Sequence, residues 1–390
     1  MTTGAPSNIN EQAGLQRVAL HPTAASHRFH LLDALRGIAA LLIVFYHVVK
    51  LLPFYHVTKL LPHSGSLDTY LAVDFFFCLS GFVIAFSYEQ RLAVALSLKN
   101  FFAARVIRLY PTYLLCTFLG LIVLLADHHY HLYGKDGFRL LVMIGLQFAM
   151  LPSPHLLGNY YLFPLDIAAW SLFYELLANF AFASLVRMKL ASSWMLAILA
   201  LLSYILLSFS ALESLDVGMF NTWKNVYLGI ARVTLSFSIG ALVFRLFRRT
   251  EQYRPPQALQ RVLASAIPVA LICILLSSFA ARASIVFSLL TIAVLFPLLV
   301  YLGALTAIPE SWKGVCVFLG NISYPVYLLQ GIFLFAFYKA HATLVATQHL
   351  KLFIACLVAA LIVTAQLSVK FYDAPLRKRL TKYYNSIGSA

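Results

Sequence analysis

The stretch LLDALRGIAALLIVFYHV (31–48) decides the fold. Everything between Arg36 and His47 can sit in a membrane. Eleven helical steps of 100° come to roughly three full turns plus 20°. Arg36 and His47 therefore share one face of one helix, about 16 Å apart along its axis. Ionisable side chains in a bilayer are costly and usually face a bundle interior or a wet cavity. The helix thus carries a charged group at its mouth and a proton-transfer group deep in the span.

Composition extends this reading to the whole chain. Of 390 residues, 61% are hydrophobic and 11% charged. No soluble fold of this size hides so much apolar side chain, so the class is an all-α, polytopic membrane helix bundle. Apolar runs long enough to span fall near 31–52, 70–88, 109–126, 166–186, 193–211, 226–247, 262–280, 284–304, 315–338 and 351–373. A shorter run, 138–152, ends in LPSP. If it crossed, the basic clusters that follow it would change sides. Counted without it, Arg91/Lys99/Arg105/Arg108, Arg187/Lys189, Arg245/Arg248/Arg249/Arg254/Arg261 and Arg377/Lys378/Arg379/Lys382 all lie on the side of the N-terminus. The positive-inside rule then gives about ten transmembrane helices with both termini cytoplasmic. Segment 138–152 becomes an interfacial or re-entrant helix. Residues 1–30 read as a polar cytoplasmic tail with no cleavable signal pattern, 31–376 as the membrane domain, and 377–390 as a basic cytoplasmic tail.

The net charge of +15 sits between apolar spans, which argues for membrane topology and against nucleic acid. Cys78, Cys116, Cys273, Cys316 and Cys356 all fall in apolar segments without metal-ligand spacing, so they read as reduced core thiols. His128, His129 and His131 form a loop cluster with no carboxylate at suitable spacing, which favours surface histidines over a metal site. No Walker loop, G-x-S-x-G, H-E-x-x-H or Rossmann glycine pattern is present.

The candidate chemistry lies in the spans. Asp74 starts the second span on the side where His47 ends the first, so the carboxylate is expected to orient the imidazole and raise its basicity. The alternative is a helix-dipole partner with no catalytic part. Arg105 and Arg108, three apart on a helix face, suit a phosphate-rich ligand, with topology alone as the simpler reading for either one. Glu175 is a mid-span carboxylate. It can be a proton relay, an acceptor for a substrate hydroxyl, or the ion-pair partner of Arg232. Trp170 and Ser171 open the same segment. Tyr327 and Gln330, three apart in a later span, glue helices or touch substrate.

Seven pieces, in order, resemble the acyltransferase family 3 of integral membrane O-acyltransferases. They are LLDALRGIAALLIVFYHV (31–48), VDFFFCLSGFVIAFSYEQR (73–91), NFFAARVIRLYPTYLL (100–115), WSLFYELLANF (170–180), ARVTLSFSIGALVF (231–244), LGNISYPVYLL (319–329) and FYDAPLR (371–377). The resemblance implies a ten-span bundle that moves an acyl group, usually acetyl, from acyl-CoA to a hydroxyl of an extracytoplasmic or lipid-linked carbohydrate. It implies a bacterial inner-membrane location, acetyl-CoA or another acyl-CoA as donor, and no metal. On this reading His47, Asp74 and Glu175 are the catalytic candidates. Arg36, Arg105 and Arg108 hold the donor, while Trp170, Ser171, Arg232, Tyr327 and Gln330 contact substrate. His47 acts as general base or as transient acyl carrier. Some relatives act on small molecules such as macrolides, and a transporter or flippase is the rival class. The chain departs from the pattern at Gln330, where the family commonly has His, and at Asp373, where it commonly has Glu. Relatives with an added C-terminal esterase-like domain are not matched.

Overall fold

The computed structural model describes residues 28–51, 67–126, 137–155, 160–210, 215–278, 281–344 and 350–387. The histidine cluster at 128–131, together with Tyr130 and Tyr133, lies outside these residues, as do most of the N-terminal tail and the last three positions. Among the described residues all regular structure is helical, apart from two isolated bridges, Leu67 with Ser278 and Tyr161 with Phe220. Ten helices among the described residues are long and apolar enough to cross a membrane, as the apolar runs require.

The chain opens with α1 (His30–Leu51). A short turn at Asp68–Leu71 leads into α2 (Ala72–Val94), followed by α3 (Leu98–Ala126). The apolar run at 109–126 understates α3 by more than two turns. Its basic first part continues the helix, with Arg105 buried in the bundle, Arg108 at the edge of an interior cavity and Lys99 exposed. Then comes α4 (Gly137–Phe148), which at 12 residues is roughly 18 Å long, too short to span. It leans on α3, where Tyr110 Oη donates to the Phe148 carbonyl at 2.7 Å and Tyr113 Oη donates to that of Gln147.

Next are α5 (Ala169–Arg187), α6 (Ser193–Ser210), α7 (Trp223–Thr250) and α8 (Gln257–Leu275). The run at 166–186 starts three residues too early for α5. Asp166 Oδ1 accepts from the Ala168 amide at 3.2 Å and its carbonyl from Ala169 at 3.0 Å, so Asp166 forms the turn ahead of the helix. A single span is built from α9 (Ala281–Leu290), a π-helical turn at Thr291–Leu295 and α10 (Phe296–Leu305). The chain continues with α11 (Glu310–Leu344) and α12 (Leu350–Leu367). A π-helical turn at Ser368–Asp373 links α12 to α13 (Ala374–Ile387), so most of the stretch read as a basic tail is helical.

Two helix pairs form the frame around the site. Where α2 crosses α7, a Cβ on Gly81 would stand 2.1 Å from the Phe237 carbonyl oxygen, and one on Gly240 would stand 1.9 Å from that of Cys78. Only glycine lets these backbones approach so closely, which is how helices associate where lipid offers no hydrophobic drive. On the other side α1 packs along α11, and this brings Arg36 and His47 onto the lining of the bundle interior.

Candidate active site

Two chambers lie along α1, one at each end of the Arg36–His47 face. The first, about 220 Å³, is lined by Arg36, Arg105, Arg108, Glu175, Asp373 and Arg377 among others. The second, about 600 Å³, holds His47 with Tyr46, Tyr70, Trp170, Asp216 and Gln330 among its walls. Val73 and Tyr327 line both. At the divide, the Ser171 and Tyr327 hydroxyls share a hydrogen bond of 2.8 Å, and the Phe76 ring stands edge-on to that of Tyr327.

The first chamber is basic by construction. Arg36 donates from Nε to Ser323 Oγ at 2.8 Å and from Nη2 to the Gly320 carbonyl at 2.7 Å, so α11 fixes its guanidinium. Asp33, one helical turn earlier, stands 3.4 Å from it. Arg105 donates from Nη2 to Glu175 Oε1 at 2.9 Å, and Ser80 Oγ donates to the same oxygen at 2.8 Å. With its amide oxygen turned towards Arg105, Asn179 accepts from Nη2 and Nε, both at 3.2 Å. Arg108, one turn on, is exposed at the mouth. Arg377 pairs with Asp373 at 2.5 Å. Four guanidiniums against the two lining carboxylates, with Asp33 behind Arg36, still leave a net positive chamber with planar donors suited to phosphate oxygens.

The second chamber has a different chemistry. His47 Nδ1 lies 2.9 Å from the Ile43 carbonyl. A carbonyl only accepts, so Nδ1 carries the proton and Nε2 has the lone pair. The Tyr46 ring stands edge-on to the imidazole with centroids 5.3 Å apart, and further rings line the chamber. Tyr161 stacks on Phe220 with centroids 5.5 Å apart, and Trp170 stands edge-on to Tyr174.

The structure corrects one pairing expected from the sequence and sets aside one of the alternatives for Glu175. Asp74 does not face His47; both of its oxygens take Arg232, Nη2 at 2.5 Å and Nε at 3.2 Å, with Ser236 at 3.3 Å. The helix's own carbonyl orients His47 instead. Nor does Glu175 pair with Arg232, since it belongs to Arg105. Asp74 and Arg232 have no exposed surface and line neither chamber. Arg232 reaches the second chamber only through its walls, lying 5.6 Å from the Trp170 ring and 5.9 Å from that of Tyr70. The remaining predicted residues divide cleanly. Arg36, Arg105, Arg108, Glu175 and Ser171 line the first chamber, His47, Trp170 and Gln330 the second, and Tyr327 both.

Sequence reasoning did not single out Ser80, Asn179, Tyr46, Tyr70 or Asp216. Ser80 and Asn179 sit inside matched motifs, Asn179 one turn after Glu175. Asp216 and the aromatic lining left no local signal, because they reach the chamber through tertiary packing. Among the described residues no cluster of His, Cys, Asp and Glu has the geometry of a metal site.

Ten apolar spans and two adjoining cavities, one lined by arginines and one by His47, define a membrane protein with an interior site. The chain belongs to the acyltransferase-domain family of the type 3 membrane acyltransferases, whose pattern matches residues 29–368. It is also similar to the protein called "Protein 2 in picA locus" of Rhizobium radiobacter, with 38% identity over 169 residues, covering 40% of this chain and 81% of that protein. No solved structure matches. The protein is therefore a multi-pass membrane acyltransferase.

Proposed function

We propose that the protein transfers an acyl group, acetyl in the first instance, from cytoplasmic acyl-CoA to a hydroxyl of a carbohydrate presented on the far side of the bacterial inner membrane. One observation carries this reading: the two chambers abut at Tyr327 and Ser171, with arginines on one side and His47 on the other. The basic clusters predicted to face the cytoplasm belong to the first chamber's end of the bundle, so donor entry is assigned there.

Arg105, Arg108, Arg36 and Arg377 would bind the coenzyme phosphates. The extended arm runs along α1, and the roughly 16 Å from Arg36 to His47 matches its reach. Separation of the Ser171 and Tyr327 hydroxyls opens the passage and frees two donors beside the incoming thioester. His47 Nε2 then takes the proton of the acceptor hydroxyl, whose oxygen attacks the thioester carbonyl. The C–S bond breaks, the coenzyme leaves as thiolate, and the imidazolium returns the proton to it. An acyl-histidine route uses the same Nε2 as nucleophile. Ester and free CoA balance both routes. The Asp74–Arg232 pair, behind Trp170 and Tyr70, supports the chamber wall.

The test is CoA release from acetyl-CoA by purified protein in nanodiscs with a carbohydrate acceptor. A positioned general base contributes roughly 10²–10⁴-fold, so His47→Ala should lose that much turnover with its melting temperature kept. Unchanged transfer in His47→Ala would overturn the assignment.

A further inference from the structure

Two glycines of α11 line the chambers, and their surroundings are opposite. In the first chamber, a Cβ on Gly320 would stand 2.7 Å from the Asp33 Cβ, so this glycine lets α1 and α11 close on each other. In the second, a Cβ on Gly331 would meet no atom of the described residues within 4 Å. Glycine inside a helix is disfavoured against alanine, and Gly331 lies well inside Glu310–Leu344. Among the described residues no close approach of another helix explains it. What the missing side chain leaves is room on the chamber wall.

The place of that room gives it a use. Tyr327 stands one turn before Gly331, and Leu334 and Phe335 one turn after, so the four share a face of α11. All four line the His47 chamber. From Tyr327 to Phe335 this face runs for roughly 12 Å. It begins at the divide between the chambers, because Tyr327 lines both. Beyond Tyr327 it presents no polar side chain. A donor that enters from the arginine chamber passes Tyr327 first and meets Gly331 next. The more polar wall, with Tyr161, Trp170 and Asp216, comes from other segments.

We infer that the α11 face over Gly331 takes the acyl chain of the donor thioester, that it admits a straight chain well beyond acetyl, and that Gly331 determines the chain length accepted. This rests on the acyltransferase reading and names the donor class for the same site. CoA release by the full chain in nanodiscs, with glucose as acceptor, is compared for acetyl-CoA and hexanoyl-CoA. In the wild type kcat/KM for hexanoyl-CoA should at least equal that for acetyl-CoA, since each methylene buried on an apolar wall strengthens binding. Gly331→Val puts a branched side chain into the trough and should lower the hexanoyl-to-acetyl ratio roughly tenfold. Gly331→Ala, which suits a helix, should lower it a few-fold and reads the same ratio if valine upsets insertion. A general packing defect, or an acceptor seated on Gly331, lowers both thioesters alike and leaves the ratio in place.

Saturation-transfer NMR with the same two thioesters reads binding without turnover. The hexanoyl methyl should saturate in the wild type and fade in Gly331→Val, with the adenine signals kept. A wild type that uses hexanoyl-CoA less well than acetyl-CoA, or a ratio unchanged in the Gly331 variants, overturns the inference. If neither thioester releases CoA while the methyl signal behaves as expected, the acyltransfer reading fails and the chain-binding trough stands. A hexanoyl methyl that does not saturate, or saturates equally in Gly331→Val, removes the trough.

Discussion

Two buried arginine–carboxylate pairs hold this bundle together, and they do different work. Arg232 and Asp74 join α7 to α2 with no exposed surface on either side chain. Arg105 and Glu175 join α3 to α5 with the arginine 5% and the glutamate 23% exposed, on the wall of a chamber. The first pair is saturated. Asp74 takes two bonds from Arg232 and one from Ser236, and Arg232 also donates to the Val217 carbonyl at 2.7 Å. The second opens on a cavity with three more guanidiniums and a hydroxyl pair on its lining. The same residue types serve as structure where all valences are spent internally and as a site where a face is left open. An intramembrane charge points to function by default, but its exposure to a cavity decides the case.

The largest effect should come from splitting the sealed pair. Asp74→Ala leaves a guanidinium buried without its counter-charge. Breaking a buried pair in this way costs about 3–5 kcal/mol, a large share of a typical domain's stability. Asp74→Ala should therefore fail to give a monodisperse peak on fluorescence-detected size exclusion. The double variant Asp74→Leu/Arg232→Met removes both charges and should recover much of that loss, since replacing a whole pair with apolar groups is often near neutral. A stable Asp74→Ala protein with only its turnover changed would reverse the comparison and make Asp74 a member of the site.

Splitting the open pair should spare the fold and spoil the donor. Arg105→Ala removes a charge-assisted contact to phosphate worth roughly 1.5–3 kcal/mol, so the apparent KM for acyl-CoA should rise by one to two orders of magnitude. The KM for the acceptor should stay put. Arg105→Lys should rescue little, because a point charge cannot serve Glu175, Asn179 and a phosphate in one plane. An equal rise in both KM values would remove Arg105 from donor binding. Arg108, exposed at the mouth, should matter less. Arg108→Ala should raise the acyl-CoA KM a few-fold, and the gap to wild type should shrink as salt is added, because exposed charges are screened. A gap that ignores ionic strength would place Arg108 deeper than the structure does.

How much of this was legible in the sequence follows from where the information sits. The spans were visible because each carries its own apolar run, and 138–152 read as non-spanning because crossing would move the basic clusters that follow it to the other side. The ends were less legible. α3 begins at Leu98 instead of 109 because its basic turns face a cavity, which hydropathy cannot register. Arg36 and His47 were found because they share one helix, so their relation is set by the helical period. Arg105 and Arg108 were found for the same reason. The partner of Asp74 was misassigned and that of Glu175 left open because both choices cross between helices, and depth in the membrane is a single coordinate. It places Arg232, Asp74 and Glu175 at compatible levels without saying which helices touch. The glycines at 81 and 240 settle that by drawing α2 against α7, and Arg232 then has Asp74 beside it.

A third carboxylate sharpens the comparison by having no cation partner among the described residues. Asp166, in the turn before α5, is 5% exposed. Its Oδ1 accepts from the Ala168 amide, while Oδ2 is buried without a partner among the described residues. Burial pushes its carboxyl up to about 7. Its folded state thus keeps a proton that the unfolded chain releases near pH 4. Between those values the folded form binds more protons, so stability is complete below about pH 4, declines as pH rises, and levels off at its lowest above about pH 7. Asp166→Asn copies the neutral form, with the amide oxygen still available to the Ala168 amide and no charge to lose. Its melting temperature should exceed that of wild type by more at pH 8 than at pH 5. The two paired aspartate and glutamate sites should show no such gain on neutralisation, because Asp74→Asn and Glu175→Gln each strand an arginine. A wild-type stability that rises between pH 5 and pH 8, with Asp166→Asn parallel to it, would mean that Asp166 is charged and that a partner is satisfying Oδ2.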